Sequence, residues 1–104
     1  MAGEPQINGT QAMLSAVTTT VTGTAYAPNN AAYGASNKDG IFQIDIASGT
    51  ATVVLEGRVV DTADWVTLAT LSADGASQIV TLYPLMRARV SAISGATVSA
   101  WLNC

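Results

Sequence analysis

Arginine and glutamate side chains at two-residue spacing are the first candidates for chemistry in this 104-residue chain. Arg87 and Arg89 fall on one face of a predicted strand, and Glu56 and Arg58 on one face of another, because alternate residues of a strand point the same way. If the strands are neighbours, Glu56 accepts from an arginine across the ladder. We assign Glu56 and Arg58 to a structural ion pair. Arg87 and Arg89 either stabilise a solvated face or grip carboxylates or carbonyls of a partner subunit.

The two tryptophans, Trp65 and Trp101, are the second set of candidates. Each either caps the core or stands exposed as an anchor for a protein partner or a sugar ring. A sugar site also needs carboxylates and amides close to the ring, and Asp64 beside Trp65 is the only local candidate that the sequence offers. We therefore keep both tryptophans as partner-binding candidates, with carbohydrate as the less favoured ligand.

A threonine-rich, uncharged segment between Thr10 and Thr24 is the third candidate. It is either the first strand of the domain, with threonines on its wet face, or an extended arm that adds to the sheet edge of a neighbouring chain. In the second case Thr18, Thr20 and Thr22 are the expected contact residues.

The composition argues against several classes of function. The chain has no histidine, which removes the usual general base and the commonest metal ligand. We find no paired carboxylates, phosphate loop or Cys/His cluster, and the lone cysteine is Cys104, the last residue. A net charge of −3 offers no electrostatic footprint for nucleic acid, and no apolar run is long enough to span a bilayer. We expect no catalysis, no cofactor, no metal, no nucleic acid and no membrane partner.

The elements that position these candidates follow from period-two patterning. Apolar and polar residues alternate in six short segments between residues 41 and 102, and turn signals recur about every ten residues. Asp74-Gly75 predicts a hairpin between the strand at residues 65–71 and the strand at residues 78–83. A further strand is predicted from Met13 to about Ala25. These patterns predict an all-β fold, an antiparallel β-sandwich or jelly-roll-like domain of about 7–8 short strands. We expect an N-terminal arm over residues 1–12 and a single domain over residues 13–104.

Several motifs resemble those of small β-sandwich virion proteins of tailed bacteriophages. The matching pieces are Val54-Leu55-Glu56-Gly57, Asp64-Trp65-Val66-Thr67-Leu68, Tyr83-Pro84-Leu85-Met86-Arg87-Ala88-Arg89-Val90 and the final segment from Gly95 to Leu102. A similar strand layout occurs in discoidin-like and carbohydrate-binding sandwich modules. The resemblance covers about sixty residues and leaves residues 1–38 unaccounted for.

The resemblance implies a non-enzymatic structural protein. The leading expectation is a capsid decoration (cement) protein, assembled in the host cytoplasm and located on the capsid surface of the virion. Its expected partners are the major capsid protein or other virion subunits, and its expected state is a homo-oligomer, with a trimer favoured. The alternatives are a carbohydrate-binding module of a tail or surface protein, and a head–tail or tail accessory protein.

Overall fold

The computed structural model describes residues 6–7, 9–28 and 39–103, and these residues form strands, turns and loops without a helix. The ten strands are β1 (Gln6–Ile7), β2 (Thr10–Val17), β3 (Val21–Thr22), β4 (Ala27–Pro28), β5 (Asp39–Ala47), β6 (Thr50–Arg58), β7 (Val66–Leu71), β8 (Ser77–Thr81), β9 (Leu85–Ser94) and β10 (Thr97–Asn103).

Eight of these strands form two four-stranded antiparallel sheets. The first sheet has the order β2-β10-β5-β8, and the second has the order β3-β9-β6-β7. The short strands β1 and β4 pair in parallel beside them. The all-β sandwich predicted from the period-two patterns is therefore confirmed.

Two tight corners carry the chain from one sheet to the other. β5 passes into β6 through Ser48 and Gly49, which have φ angles of 61° and 43°. β9 passes into β10 through Gly95, with φ of 63°, and Ala96. A Cβ atom on Gly49 would collide with the carbonyl oxygen of Ser94, so the two corners pack against each other at glycine. Because β5 pairs with β10 and β6 with β9, the corners fold one long hairpin into two layers.

The core lies between the sheets and follows the predicted alternation. Inward-facing residues of the four central strands are almost fully buried, among them Phe42, Ile44, Val53, Leu55, Met86, Ala88, Val98, Ala100 and Leu102. Apolar side chains of this kind gain stability by leaving water, which fixes which face of each strand turns inward. The other face of each strand therefore carries the candidate residues.

The structure corrects the predicted extent of the first strand. Residues 13–25 do not form one strand, because β2 ends at Val17 in the first sheet and β3 begins at Val21 in the second. β2 also begins at Thr10, where it pairs with Asn103, so the predicted arm boundary at residue 12 falls inside a strand. Residues 1–5 and 8 of that arm, and Cys104, lie outside the described residues.

The predicted hairpin at Asp74-Gly75 is wrong. β7 pairs with β6 in the second sheet, whereas β8 pairs with β5 in the first, so the turn crosses between sheets. The turn instead extends the ladder of β5. The backbone N–H of Ile46 donates to Oδ1 of Asp74 at 2.9 Å, and that of Gly75 donates to the carbonyl of Ile44 at 3.1 Å.

A bulge in β9 changes the predicted alternation near its end. Thr52 pairs with Ala92 but Val53 pairs with Val90, so Ser91 is an extra residue in the ladder. Ala92, which the alternation places inward, is exposed, and Ile93 packs against the core in its place. The inward alternation of β9 therefore ends at Val90.

Candidate functional site

Glu56 lies at the centre of an ion-pair network on the outer face of the second sheet. Its two carboxylate oxygens each accept one hydrogen bond, Oε1 from Nε of Arg87 and Oε2 from Nε of Arg89, both at 2.9 Å. The strand register produces this geometry, because Glu56 on β6 is directly opposite Arg87 on β9 and Arg89 is two residues further along the same face. Glu56 is only 6% exposed, so its carboxylate is largely removed from water, whereas the side chains of Arg87 and Arg89 remain 26% and 35% exposed.

The arginines control the protonation of Glu56. Burial raises the pKa of a carboxyl group, but hydrogen bonds from Arg89 and Arg87 and their positive charges outweigh that effect. The pKa of Glu56 therefore lies below its ordinary value, and Glu56 is a carboxylate at neutral pH.

Trp65 extends this network. The Cζ atoms of Arg87 and Arg58 lie over its indole ring, at 4.1 Å and 4.3 Å from the ring centroid. These are cation–π contacts, which stabilise a guanidinium held against an aromatic face. Arg58 also donates weakly from Nη1 to the carbonyl of Ala63, at 3.5 Å. We call Glu56, Arg58, Trp65, Arg87 and Arg89 the arginine cluster.

The arginine cluster confirms the cross-strand pairing of Glu56 but corrects the second member of the assigned ion pair. Arg87 and Arg89 are the ionic partners of Glu56, and Arg58 instead lies over Trp65. Gly57 is opposite Val66 in the ladder of β6 and β7, so Arg58 and Trp65 are neighbours just beyond that pair. Arg87 and Arg89 are the residues that we considered for binding a partner subunit, and their Nε donors are already hydrogen-bonded to Glu56 within the chain.

The predicted threonine contacts lie at the edge of the sandwich. Thr18 and Thr20 are exposed in the connection from the first sheet to the second, and Thr22 is exposed in β3, opposite Arg89. β3 is an edge strand of two residues, and its ladder with β9 covers only Arg89 and Val90. The structure therefore places these threonines at a sheet edge.

The second predicted tryptophan, Trp101, occupies a different surface. It lies half-buried on the outer face of the first sheet, while its neighbours Ala100 and Leu102 are buried in the core. An open groove of about 450 Å³ surrounds it. The groove residues come from the three adjacent strands β2, β10 and β5, and they are Thr10, Ile41, Gln43, Asp45, Trp101 and Asn103. We call this surface the Trp101 groove.

The sequence patterns did not identify the polar residues of the Trp101 groove as site residues. Gln43 is directly opposite Trp101 in the ladder, and Asp45 is two residues along the same face of β5. The alternation in β5 already pointed both side chains outward, but it does not reveal that β5 lies beside β10. Asp64, the carboxylate considered for a sugar site, is next to Trp65 in the chain and does not line the groove.

Several large apolar side chains remain exposed. Val59, Val60 and Val66 are 60%, 48% and 48% exposed. Val59 and Val60 follow β6, and Val66 begins β7 opposite Gly57, so all three lie at the same end of the second sheet. We call them the valine end. On the other sheet Ile41 and Ile79 form an exposed cross-strand pair.

Comparisons with protein-family models, with curated protein sequences and with solved structures find no match to this chain. Within residues 6–7, 9–28 and 39–103, no group of three or more acidic or cysteine side chains is placed to hold a metal ion. The same residues include no helix that could cross a membrane.

Proposed function

We propose that this chain is a non-enzymatic structural protein of a tailed-phage virion, and that it acts as a capsid decoration protein. The resemblance of its strand motifs to small virion sandwich proteins supports the class. The single observation that carries the binding role is the valine end, where Val59, Val60 and Val66 are all about half exposed or more. Clustered apolar side chains on a surface are typical of sites that another protein covers.

The proposed mechanism is mass action. A valine that goes from half exposed to fully buried contributes about 1 kcal/mol of favourable free energy. Many identical copies that each bury such residues against the shell shift the equilibrium toward the assembled particle, because ligands that bind only the native state stabilise it. The major capsid protein is the proposed partner, and the capsid surface is the proposed location.

Self-association is proposed at the edge of the second sheet that is formed by β3 and β9. Within the described residues, β3 pairs with β9 only at Val90 and Arg89, so the segment from Ser91 to Ser94 has no strand on that side. The adjacent Thr18, Thr20 and Thr22 are exposed and uncharged. A strand from a second copy can add to such an edge through main-chain hydrogen bonds, which supports a homo-oligomer. A trimer is the state that we propose.

Binding to shells of the parent phage that lack this protein tests the proposal. We expect the purified chain to co-sediment with these shells and to raise the temperature at which they release DNA. The double variant Val59→Ser/Val60→Ser should lose both effects. Ile79→Ser, which changes a residue on the other sheet that is 68% exposed, more than either valine, is the control and should bind normally. Failure of the wild-type chain to bind or stabilise the shells would refute the decoration role.

A further inference from the structure

We propose that the Trp101 groove is a binding site for a neutral oligosaccharide. The site goes beyond the decoration role and does not depend on it, because the groove lies on the first sheet and the valine end on the second. Three features of the groove carry the inference: an aromatic platform, a ring of hydrogen-bonding side chains and the sign of the charge around them.

The aromatic platform is the indole ring of Trp101. Buried residues on both sides along β10, Ala100 and Leu102, hold its backbone in the sheet. Across the ladder it is opposite Gln43 on one side and the small residue Ala12 on the other, and the half-buried side chain lines the open groove. The C–H face of a pyranose ring is apolar while its hydroxyl groups point outward, so it can stack on the part of the indole ring that the groove leaves accessible.

The hydrogen-bonding side chains surround that platform. Gln43 and Asp45 project from β5, and Asn103 projects from β10 two residues beyond Trp101. Nδ2 of Asn103 donates to Oγ1 of Thr10 at 2.7 Å, which orients its amide. Carboxylate and amide groups both accept from sugar hydroxyls, and amides also donate to them. A few polar groups around an apolar floor are the usual composition of a small-molecule site.

The distribution of charge selects a neutral ligand. All three arginines of the chain belong to the arginine cluster on the second sheet. The described outer face of the first sheet carries the carboxylates Asp39 and Asp45 and no cationic side chain. These two carboxylates repel an anionic sugar, whereas a neutral hexose or N-acetylhexosamine is not repelled. The polar side chains around Trp101 also distinguish the groove from a purely apolar protein-docking surface.

Nuclear magnetic resonance titration tests the site directly, because the chain has two tryptophans and hence two indole N–H signals. The probes are maltotriose, cellotriose and triacetylchitotriose, with 3′-sialyllactose as the anionic comparator. We expect at least one neutral trisaccharide at millimolar concentration to shift the signal of Trp101 and leave that of Trp65 unchanged. Sialyllactose should bind more weakly than that sugar.

Variants of the groove sharpen the test. Trp101→Ala should abolish binding, and Trp101→Phe should retain a weakened form, because a smaller aromatic ring remains. Asp45→Asn should weaken binding about tenfold through loss of a charged acceptor. Asp64→Asn removes an equally exposed carboxylate outside the groove and should bind as the wild type does.

Three results would overturn the proposal. The first is the absence of any shift at Trp101 with all three neutral trisaccharides. The second is wild-type affinity in a folded Trp101→Ala variant, and the third is tighter binding of sialyllactose than of the neutral sugars. Shell binding is measured in a separate experiment and through the valine end. A negative sugar titration therefore leaves the decoration role intact, and a negative shell-binding experiment leaves the Trp101 groove intact as a sugar site.

Discussion

The two outer faces of the sandwich use similar residues to opposite effect. On the second sheet, a tryptophan and a carboxylate contact arginines of the same chain, and Glu56 is almost fully buried. On the first sheet, Trp101 and Asp45 line an open groove without an arginine beside them. Groups that are satisfied within the chain stabilise the fold, whereas polar groups that remain open are available to a ligand. The comparison assigns stability to the arginine cluster and binding to the Trp101 groove.

The largest expected effect comes from removing the centre of the arginine cluster. Glu56→Ala leaves Arg87 and Arg89 without their carboxylate, and we expect it to lower the free energy of unfolding by about 3 kcal/mol. Urea denaturation measures the change. Asp45→Ala, on the other face, should change stability by less than about 0.5 kcal/mol. Equal effects of the two substitutions would remove the proposed contrast between the faces.

We expect substitution of the two tryptophans to show the same contrast, with the larger loss of stability on the second sheet. Trp65→Ala loses packing and two cation–π contacts, so we expect a cost of about 2 kcal/mol. Trp101→Ala loses only the packing of a half-buried ring, and about 1 kcal/mol is expected. Thermal and urea unfolding of the two variants side by side gives the comparison, and a larger loss for Trp101 would contradict it.

Aliphatic residues on the two outer faces offer a smaller contrast. Val54 is buried although it points to the outer side of β6, next to Arg89 in the ladder, whereas Ile79 is 68% exposed. We expect Val54→Ala to cost about 1 kcal/mol and Ile79→Ala less than about 0.5 kcal/mol. Urea denaturation tests both values, provided that the dependence of the unfolding free energy on urea concentration is the same for the two variants. A greater loss of stability for Ile79→Ala would mean that other residues of the chain cover Ile79.

The pH dependence of stability isolates one part of the Glu56 contribution. Because the pKa of Glu56 is lower in the folded chain than its ordinary value of 4.5, the stabilisation is complete above that value and is lost as the pH falls through the folded pKa. We expect the stability difference between wild type and Glu56→Gln to be constant near neutral pH and to shrink in acid. A difference that grows in acid would reverse the assigned direction of the pKa shift.

Much of the fold was predictable because alternation is a local property. Phe42, Ile44 and Ile46 alternate with polar residues, and a strand with that pattern has one stable choice of inner face. The same reasoning placed Arg87 and Arg89 on the face opposite Met86, but it joined Glu56 to an arginine of that strand only on the condition that the two strands were neighbours. It failed at Ser91, where an extra residue in the ladder reverses the parity that follows.

The amino-acid sequence by itself determined the strands between residues 41 and 102 and which side of most of them turns inward, because side-chain polarity and two-residue periodicity act within a single strand. Only the tertiary structure decided which strands are neighbours. That choice assigned Glu56 to Arg87 and Arg89 rather than to Arg58, and it brought Asp45 and Gln43 to Trp101 from more than fifty residues away. Pairing depends on the ladder of backbone hydrogen bonds and on the corners between sheets, which side-chain periodicity does not specify.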